Sequence, residues 1–138
     1  MTPSFERPVA LDLPLQGTQL IEASAGTGKT FTIALLYVRL VLGHGQPGSA
    51  LSRTGHGFSR PLLPPEILVV TFTEAASLEL RDRIRERLLQ ATEAFRAVDE
   101  TDGLVERDPL LAELRADFAL ESWPRCAHSL QMAAEWMD

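Results

Sequence analysis

The sequence predicts an α/β fold: part of a parallel sheet with a covering helix, followed by additional helices toward the C-terminal end. Three observations carry this expectation. Gln19-Leu20-Ile21-Glu22-Ala23 is a short, partly apolar run that ends in a glycine-bearing turn and leads at once into a helical pattern. Glu66 to Phe72 is β-branched, apolar and bounded by Pro64-Pro65, the composition of a parallel strand covered on both faces. Two more helical patterns follow a polar break at Gly103.

Taken in order, residues 1–18 carry three prolines and no sustained periodicity, and read as an irregular lead-in. Gln19 to Ala23 suits a buried strand. From Lys29 to Leu42, Ile33, Leu36, Tyr37, Leu40 and Val41 recur at helical spacing, and Gly43 is a stop signal. Residues 43–65 hold five glycines and four prolines and form a long loop, of a length that is usually a functional insertion or disordered. The strand Glu66–Phe72 follows. Thr73 then caps a long helix, with Glu74 favourably placed against the helix dipole and Leu80, Ile84, Leu88, Ala91 and Phe95 as its buried stripe. Asp99 to Asp108 is a polar break, and Pro109–Leu120 and Arg125–Met137 are two further helices. The expected organisation is a core unit over residues 1–98, with 43–65 as its long loop, and a helical insertion, cut short, over 99–138.

Composition narrows the class. Net charge is −6 and the pI is near 5.0, which argues against a chain-wide basic surface gripping nucleic acid non-specifically. No apolar run approaches the roughly 20 residues needed to span a bilayer. The first residues lack a basic segment followed by an apolar one, so a secretory signal is not expected. The single cysteine, Cys126, excludes an internal disulfide and a cysteine-cluster metal site, and a reducing cytoplasmic setting fits. Of the 13 basic residues, Lys29 alone is lysine, and it falls inside the one phosphate-binding pattern in the chain.

That pattern is Ala23-Ser24-Ala25-Gly26-Thr27-Gly28-Lys29-Thr30. A phosphate loop needs glycines so that backbone N–H groups can converge on an anion through torsions that a Cβ forbids. It needs a following helix, whose N-terminus offers unpaired N–H groups and a positive dipole end. It needs a lysine for the β and γ phosphates and a hydroxyl for Mg²⁺. Gly26 and Gly28 supply the turn, Lys29 the catalytic charge, and Thr30 a metal contact through the bound nucleotide. Thr27, Gly28 and Lys29 also offer backbone N–H groups. The common pattern opens on glycine where this chain has Ala23, which can end the strand if its φ stays negative. The implied fold is a RecA-like P-loop NTPase core, and the implied ligands are ATP and Mg²⁺.

A phosphate loop alone does not separate kinases, GTPases, transporters and motors. Leu68-Val69-Val70-Thr71-Phe72-Thr73-Glu74-Ala75-Ala76, taken with Leu20 to Thr30, resembles superfamily 1 DNA helicases of the UvrD-like group. Leu13-Pro14-Leu15-Gln16-Gly17, Phe31-Thr32-Ile33 and Glu79-Leu80-Arg81 fit the same pattern, and the resemblance covers residues 11 to about 90. It implies that Gln16 contacts the adenine edge. It implies that Thr71, Phe72 and Thr73 touch the backbone of single-stranded DNA, a sensible task for a strand end followed by a capped helix start. For the full-length protein it implies a 3′→5′ ATP-dependent helicase with exonuclease activity, acting in double-strand break repair and recombination. Its partners would be DNA ends, single strands and the companion subunits of a multisubunit complex, with no membrane.

Other residues read as structural. Arg81, Arg83, Arg85 and Arg87 interleave with Glu79, Asp82 and Glu86, so a solvated helix face with pairs such as Glu79–Arg83 is expected rather than a DNA patch. His44, His56 and His128 are scattered, Trp123 and Trp136 are expected to pack, and Cys126 to be an ordinary thiol. An acidic residue ending an apolar strand, which such an ATPase needs for Mg²⁺ and water, does not follow Phe72. Val9-Ala10-Leu11-Asp12 is the one apolar run that ends in Asp, and it precedes the loop. No arginine finger or nuclease carboxylate cluster is visible. The chain is therefore expected to be a fragment able to hold nucleotide weakly without hydrolysing it. Two alternatives stay open: a small-molecule kinase, which would need an acid or base for its acceptor near the loop, and a non-catalytic nucleotide-binding or scaffold module.

Overall fold

A computed structural model describes residues 9–21, 28–44, 60–97 and 101–137. Its elements are helices α1 (Val9–Asp12), α2 (Lys29–Leu42), α3 (Glu74–Phe95), α4 (Leu104–Arg107), α5 (Pro109–Ala116) and α6 (Trp123–Trp136). Short 3₁₀ turns at Pro64–Glu66 and Leu120–Ser122 complete the set.

Local chemistry sets the boundaries. α2 starts after Gly28 and ends at Gly43, both in the left-handed region at φ 88° and 70°, and the Gly43 N–H bonds back to the carbonyls of Arg39 and Leu40. Thr73 is extended, and its hydroxyl accepts from the Ala76 N–H at 3.0 Å, opening α3 as the sequence predicts. Asp108 caps α5 by accepting from the Leu111 N–H at 3.2 Å, with Pro109 in the first helical position. α5 is shorter than periodicity suggests, because Asp117 closes it, whereas α6, entered from a 3₁₀ turn, begins two residues earlier than expected at Trp123 and ends at Trp136. Part of the irregular lead-in is the one-turn helix α1, and the polar break holds the one-turn α4.

α3 is the central element and packs against α6, α2 and α5, while α1 lies on α2. Its expected stripe of Leu80, Ile84, Leu88, Ala91 and Phe95 is buried throughout. Fully burying each large member is worth about 1.5–3 kcal/mol. Phe95 meets Phe118 and Trp123 edge to face, at centroid distances of 5.6 and 6.3 Å, and joins the C-terminal helices to the same core. On α2 the buried face is Ala34, Leu35, Val38, Val41 and Leu42 together with Tyr37, so the expected stripe is rotated and Ile33 is exposed.

The expected α/β fold with a parallel-sheet, RecA-like core is not what the chain adopts: among the described residues there are only helices, turns and irregular segments, without a strand. Gln19 to Ile21 is irregular and exposed, and the remainder of that run lies outside the described residues. Pro64-Pro65-Glu66 winds into a 3₁₀ turn, and residues 67–71 run on without a ladder. The reason is non-local. A strand is held by its neighbours' N–H and C=O groups, and a lone extended segment gains nothing from its apolarity. Here α2, α3 and α6 pack on one another directly and fill the core, leaving Leu68 and Val70 at 87% and 77% exposure.

Three buried arginines tie this helical assembly together. Arg39 donates to His44 Nδ1 at 2.8 Å and to the Leu13 carbonyl at 2.8 Å. Arg87 pairs with Asp108 at 2.6 Å. Arg115 pairs with Asp102 at 2.7 Å, donates to the Ala94 carbonyl, and lies 4.6 Å from the Trp123 ring centroid. Arg87 was expected on a solvated face and is instead buried, while Arg83 pairs with Glu86 rather than Glu79. His44, expected in the loop, is buried, as is Trp123; Trp136 is exposed. Burial raises the Cys126 thiol above its ordinary value, so it stays protonated. No helix among the described residues is long and apolar enough to cross a membrane.

Candidate functional site

Of the predicted phosphate loop, Gly28, Lys29 and Thr30 are described; Ala23, Ser24, Ala25, Gly26 and Thr27 lie outside the described residues. Gly28 takes the positive φ that the loop chemistry asks of a glycine, and no side chain caps α2 from that position. The first backbone bond of the helix runs from the Thr32 N–H to the Gly28 carbonyl at 2.9 Å. The N–H groups of Lys29, Thr30 and Phe31 therefore sit outside the helix's own ladder, at its positive end. Lys29 and Thr30 are both exposed. A glycine in left-handed torsion, an uncapped helix start, one lysine and one hydroxyl form a donor set that suits a polyphosphate with its metal.

The opening turn of α2 faces α3 across a cavity of about 450 Å³, bordered by Thr30 and Phe31 on one side and by Glu79, Arg83, Glu86 and Arg87 on the other. Arg87 bridges the gap, with its guanidinium carbon 4.8 Å from the Phe31 ring centroid. Gln16 stands apart in the lead-in: its side chain is exposed and its carbonyl accepts from Gln19 Nε2 at 3.2 Å. The structure does not bring Gln16 into the lining of this cavity.

Thr71, Phe72 and Thr73 sit together at the start of α3. The Thr71 hydroxyl donates to the Thr73 carbonyl at 3.0 Å and shares a hydrogen bond with the Ser77 hydroxyl. Thr73 is occupied as the cap. Phe72 projects fully into solvent beside Leu78, over a shallow depression lined by Thr71, Glu74 and Ser77. An exposed ring next to a hydroxyl-lined helix start offers a base a stacking face and a phosphate a polar contact. α3 thus follows this segment and carries Arg87 further along, whereas the predicted phosphate-binding residues Gly28, Lys29 and Thr30 stand at the start of α2. Arg87 was the functional-site neighbour that sequence reasoning missed; its signal, Asp108, lies 21 residues away.

Comparison with known proteins follows the same lines. The chain is 52% identical over 113 residues to the RecBCD enzyme subunit RecB of Escherichia coli K12, covering 82% of this chain and 9% of that protein. It is 42% identical over 130 residues to the RecB subunit of Haemophilus influenzae, covering 93% and 10% respectively. The Mycobacterium tuberculosis H37Rv subunit is 38% identical over 96 residues, which is 68% of this chain and 7% of that protein. The chain therefore spans about a tenth of the length of the curated relatives it matches. Residues 1–130 match the model of the UvrD/REP helicase N-terminal domain, and the chain belongs to that family.

Proposed function

We propose that this chain is the ATP-binding N-terminal part of a 3′→5′ DNA helicase–exonuclease subunit that acts in double-strand break repair and recombination. The observation that carries the reading is the junction at Gly28–Thr30: left-handed glycine, uncapped helix start, then the chain's one lysine and a hydroxyl. Lys29 neutralises the β and γ phosphates, the N–H groups of residues 28–30 hold their oxygens, and Thr30 contacts Mg²⁺ through the nucleotide. Residues 23–27 complete the loop and Gln16 reads the adenine. Thr71, Phe72 and Thr73 take single-stranded DNA at the start of α3.

Residues 1–98 would belong to the motor unit and 99–138 to a helical insertion. The relatives are roughly ten times longer, so the acid that activates water, the arginine finger and the nuclease carboxylates are sought in the rest of such a protein. The partners in that setting are DNA ends and the companion subunits RecC and RecD, and the compartment is the cytoplasm. The 138-residue chain itself binds nucleotide weakly and does not hydrolyse it.

The deciding experiment is ATP turnover by the full-length protein with and without single-stranded DNA, beside Lys29→Ala. Stimulation by DNA that Lys29→Ala abolishes is expected. Turnover indifferent to DNA points to a small-molecule kinase, and full function with Lys29→Ala points to a non-catalytic module.

A further inference from the structure

Lys29, Thr30, Phe31 and Ile33 are all exposed, and α2 enters the core only at Ala34. The opening turn of this helix, which on the nucleotide reading must hold phosphate, therefore lies beyond the packed part of its own element. Beside it is the cavity of about 450 Å³ rather than packed side chains. The contact that crosses to it from α3 is the guanidinium of Arg87 on the ring of Phe31, at 4.8 Å.

Arg87 is itself firmly held. Its side chain is 6% exposed, NH1 donates to Asp108 Oδ2 at 2.6 Å and to Gln90 Oε1 at 2.9 Å, and NH2 donates to Asp108 Oδ1 at 3.4 Å. Its Nε is buried and has no hydrogen-bond partner among the described residues, so the carboxylate on one side and the ring on the other set its orientation. Asp108 is in turn fixed as the cap of α5. A planar cation pinned by a bidentate partner is a rigid platform, where a lysine at the same place would be a flexible point charge.

We propose that Arg87 is a positioning residue for the phosphate loop: through Phe31 it fixes the opening turn of α2, and through Asp108 it makes that geometry depend on the docking of the C-terminal helices. The proposal rests on the nucleotide reading above. Without the platform, the donors of residues 28–30 sample a wider range of positions, and ordering them is charged against nucleotide binding.

The test uses the 138-residue chain and MgATP by titration calorimetry, with Arg87→Lys, Phe31→Leu, their double variant and Lys29→Ala. Amide hydrogen exchange over residues 30–33 without nucleotide is measured alongside. Each single variant is expected to weaken ATP about threefold, the size of an exposed cation–π contact, and to speed exchange in that turn. The double variant is expected to be no weaker than either single one, because one contact is lost in all three. Binding that Lys29→Ala abolishes but Arg87→Lys leaves unchanged overturns the positioning role alone, as do additive losses or unchanged exchange. A wild-type chain that binds no ATP, or binds it equally with Lys29→Ala, overturns the nucleotide reading and this proposal with it.

Discussion

His44 Nε2 lies 2.6 Å from Asp117 Oδ2, and the opposite ring nitrogen accepts from Arg39 Nε at 2.8 Å. Because a guanidinium can only donate, Nδ1 must be the bare nitrogen, and the ring proton sits on Nε2, pointing at the carboxylate. One imidazole thus joins the end of α2 to the end of α5, while Arg39 reaches on to the carbonyls of Ala10 and Leu13. Replacing the ring by an apolar side chain takes this partner from two charged groups in a largely buried setting. His44→Leu is expected to cost about 1–3 kcal/mol, the penalty for stripping buried polar groups, read from the urea midpoint at neutral pH. A loss below about 0.5 kcal/mol would mean that water serves these groups equally well.

Acid should attack a different bridge. The Arg115 guanidinium holds the Asp102 carboxyl at about 2, against an ordinary value of 3.8, with help from the Leu104 N–H. A carboxylate depressed by folding stabilises the fold fully above the ordinary value, and that contribution is lost as pH falls from about 4 toward 2. Asp102→Asn removes the titrating group, so its stability should fall less steeply than the wild type's across that window. Parallel acid limbs, followed by circular dichroism at fixed temperature, would show that the pair contributes nothing to acid sensitivity.

How far such features are legible in the sequence depends on how local they are. α2 is foreseen from Lys29 to Leu42 with Gly43 as its end, because helical propensity and a left-handed cap are short-range. The stripe from Leu80 to Phe95 is equally clear, because Arg81, Asp82, Arg83, Glu86 and Glu93 mark the exposed side of the same helix. The face of α2 is not, since Ile33 to Leu42 is apolar nearly all round and has no polar side to orient it. The apolar run at residues 67–70 calls for cover, but sequence cannot say whether a neighbouring strand is there to provide it, and here Leu68 and Val70 stay exposed. Arg87 and His44 fail for the same reason: Asp108 and Asp117 lie 21 and 73 residues from them. Of the candidate site, the loop and the segment 71–73 are legible as motifs, whereas the contact of Arg87 with Phe31 and Asp108 is not.

The start of α3 allows capping to be separated from contact with DNA. Thr73→Ala removes the acceptor for the Ala76 N–H and should cost about 1 kcal/mol, whereas Thr73→Ser retains the bond and the stability. Phe72 touches nothing that folding buries, so Phe72→Ala should leave the unfolding midpoint unchanged. If the ring stacks on a base, the same change in the full-length protein weakens single-stranded DNA about tenfold, within the range of one aromatic–base stack. Fluorescence anisotropy with a short oligonucleotide at fixed salt measures this. Equal affinity for Phe72→Ala would remove Phe72 from the DNA site.

The two glycines that bracket α2 should respond unequally to a methyl group. Both have positive φ, which costs an alanine about 1 kcal/mol at either place. At Gly28 an added Cβ meets nothing within 4 Å, so backbone strain is the whole effect on stability. At Gly43 it would lie 2.8 Å from Pro61 Cγ and 3.1 Å from Pro61 N, and a proline ring has little room to give. The chain there must move, at the expense of the bond from the Leu62 N–H to the Leu40 carbonyl at 2.9 Å. Gly43→Ala is therefore expected to cost about 2–3 kcal/mol, combining the torsional and overpacking terms, and Gly28→Ala about 1 kcal/mol. Nucleotide binding should show the reverse order, because of the two only Gly28 borders the proposed phosphate donors. Paired urea titrations and MgATP titrations of the two variants give both orders at once. If Gly28→Ala is the more destabilising, strain at the helix start rather than crowding at its end governs how α2 is held.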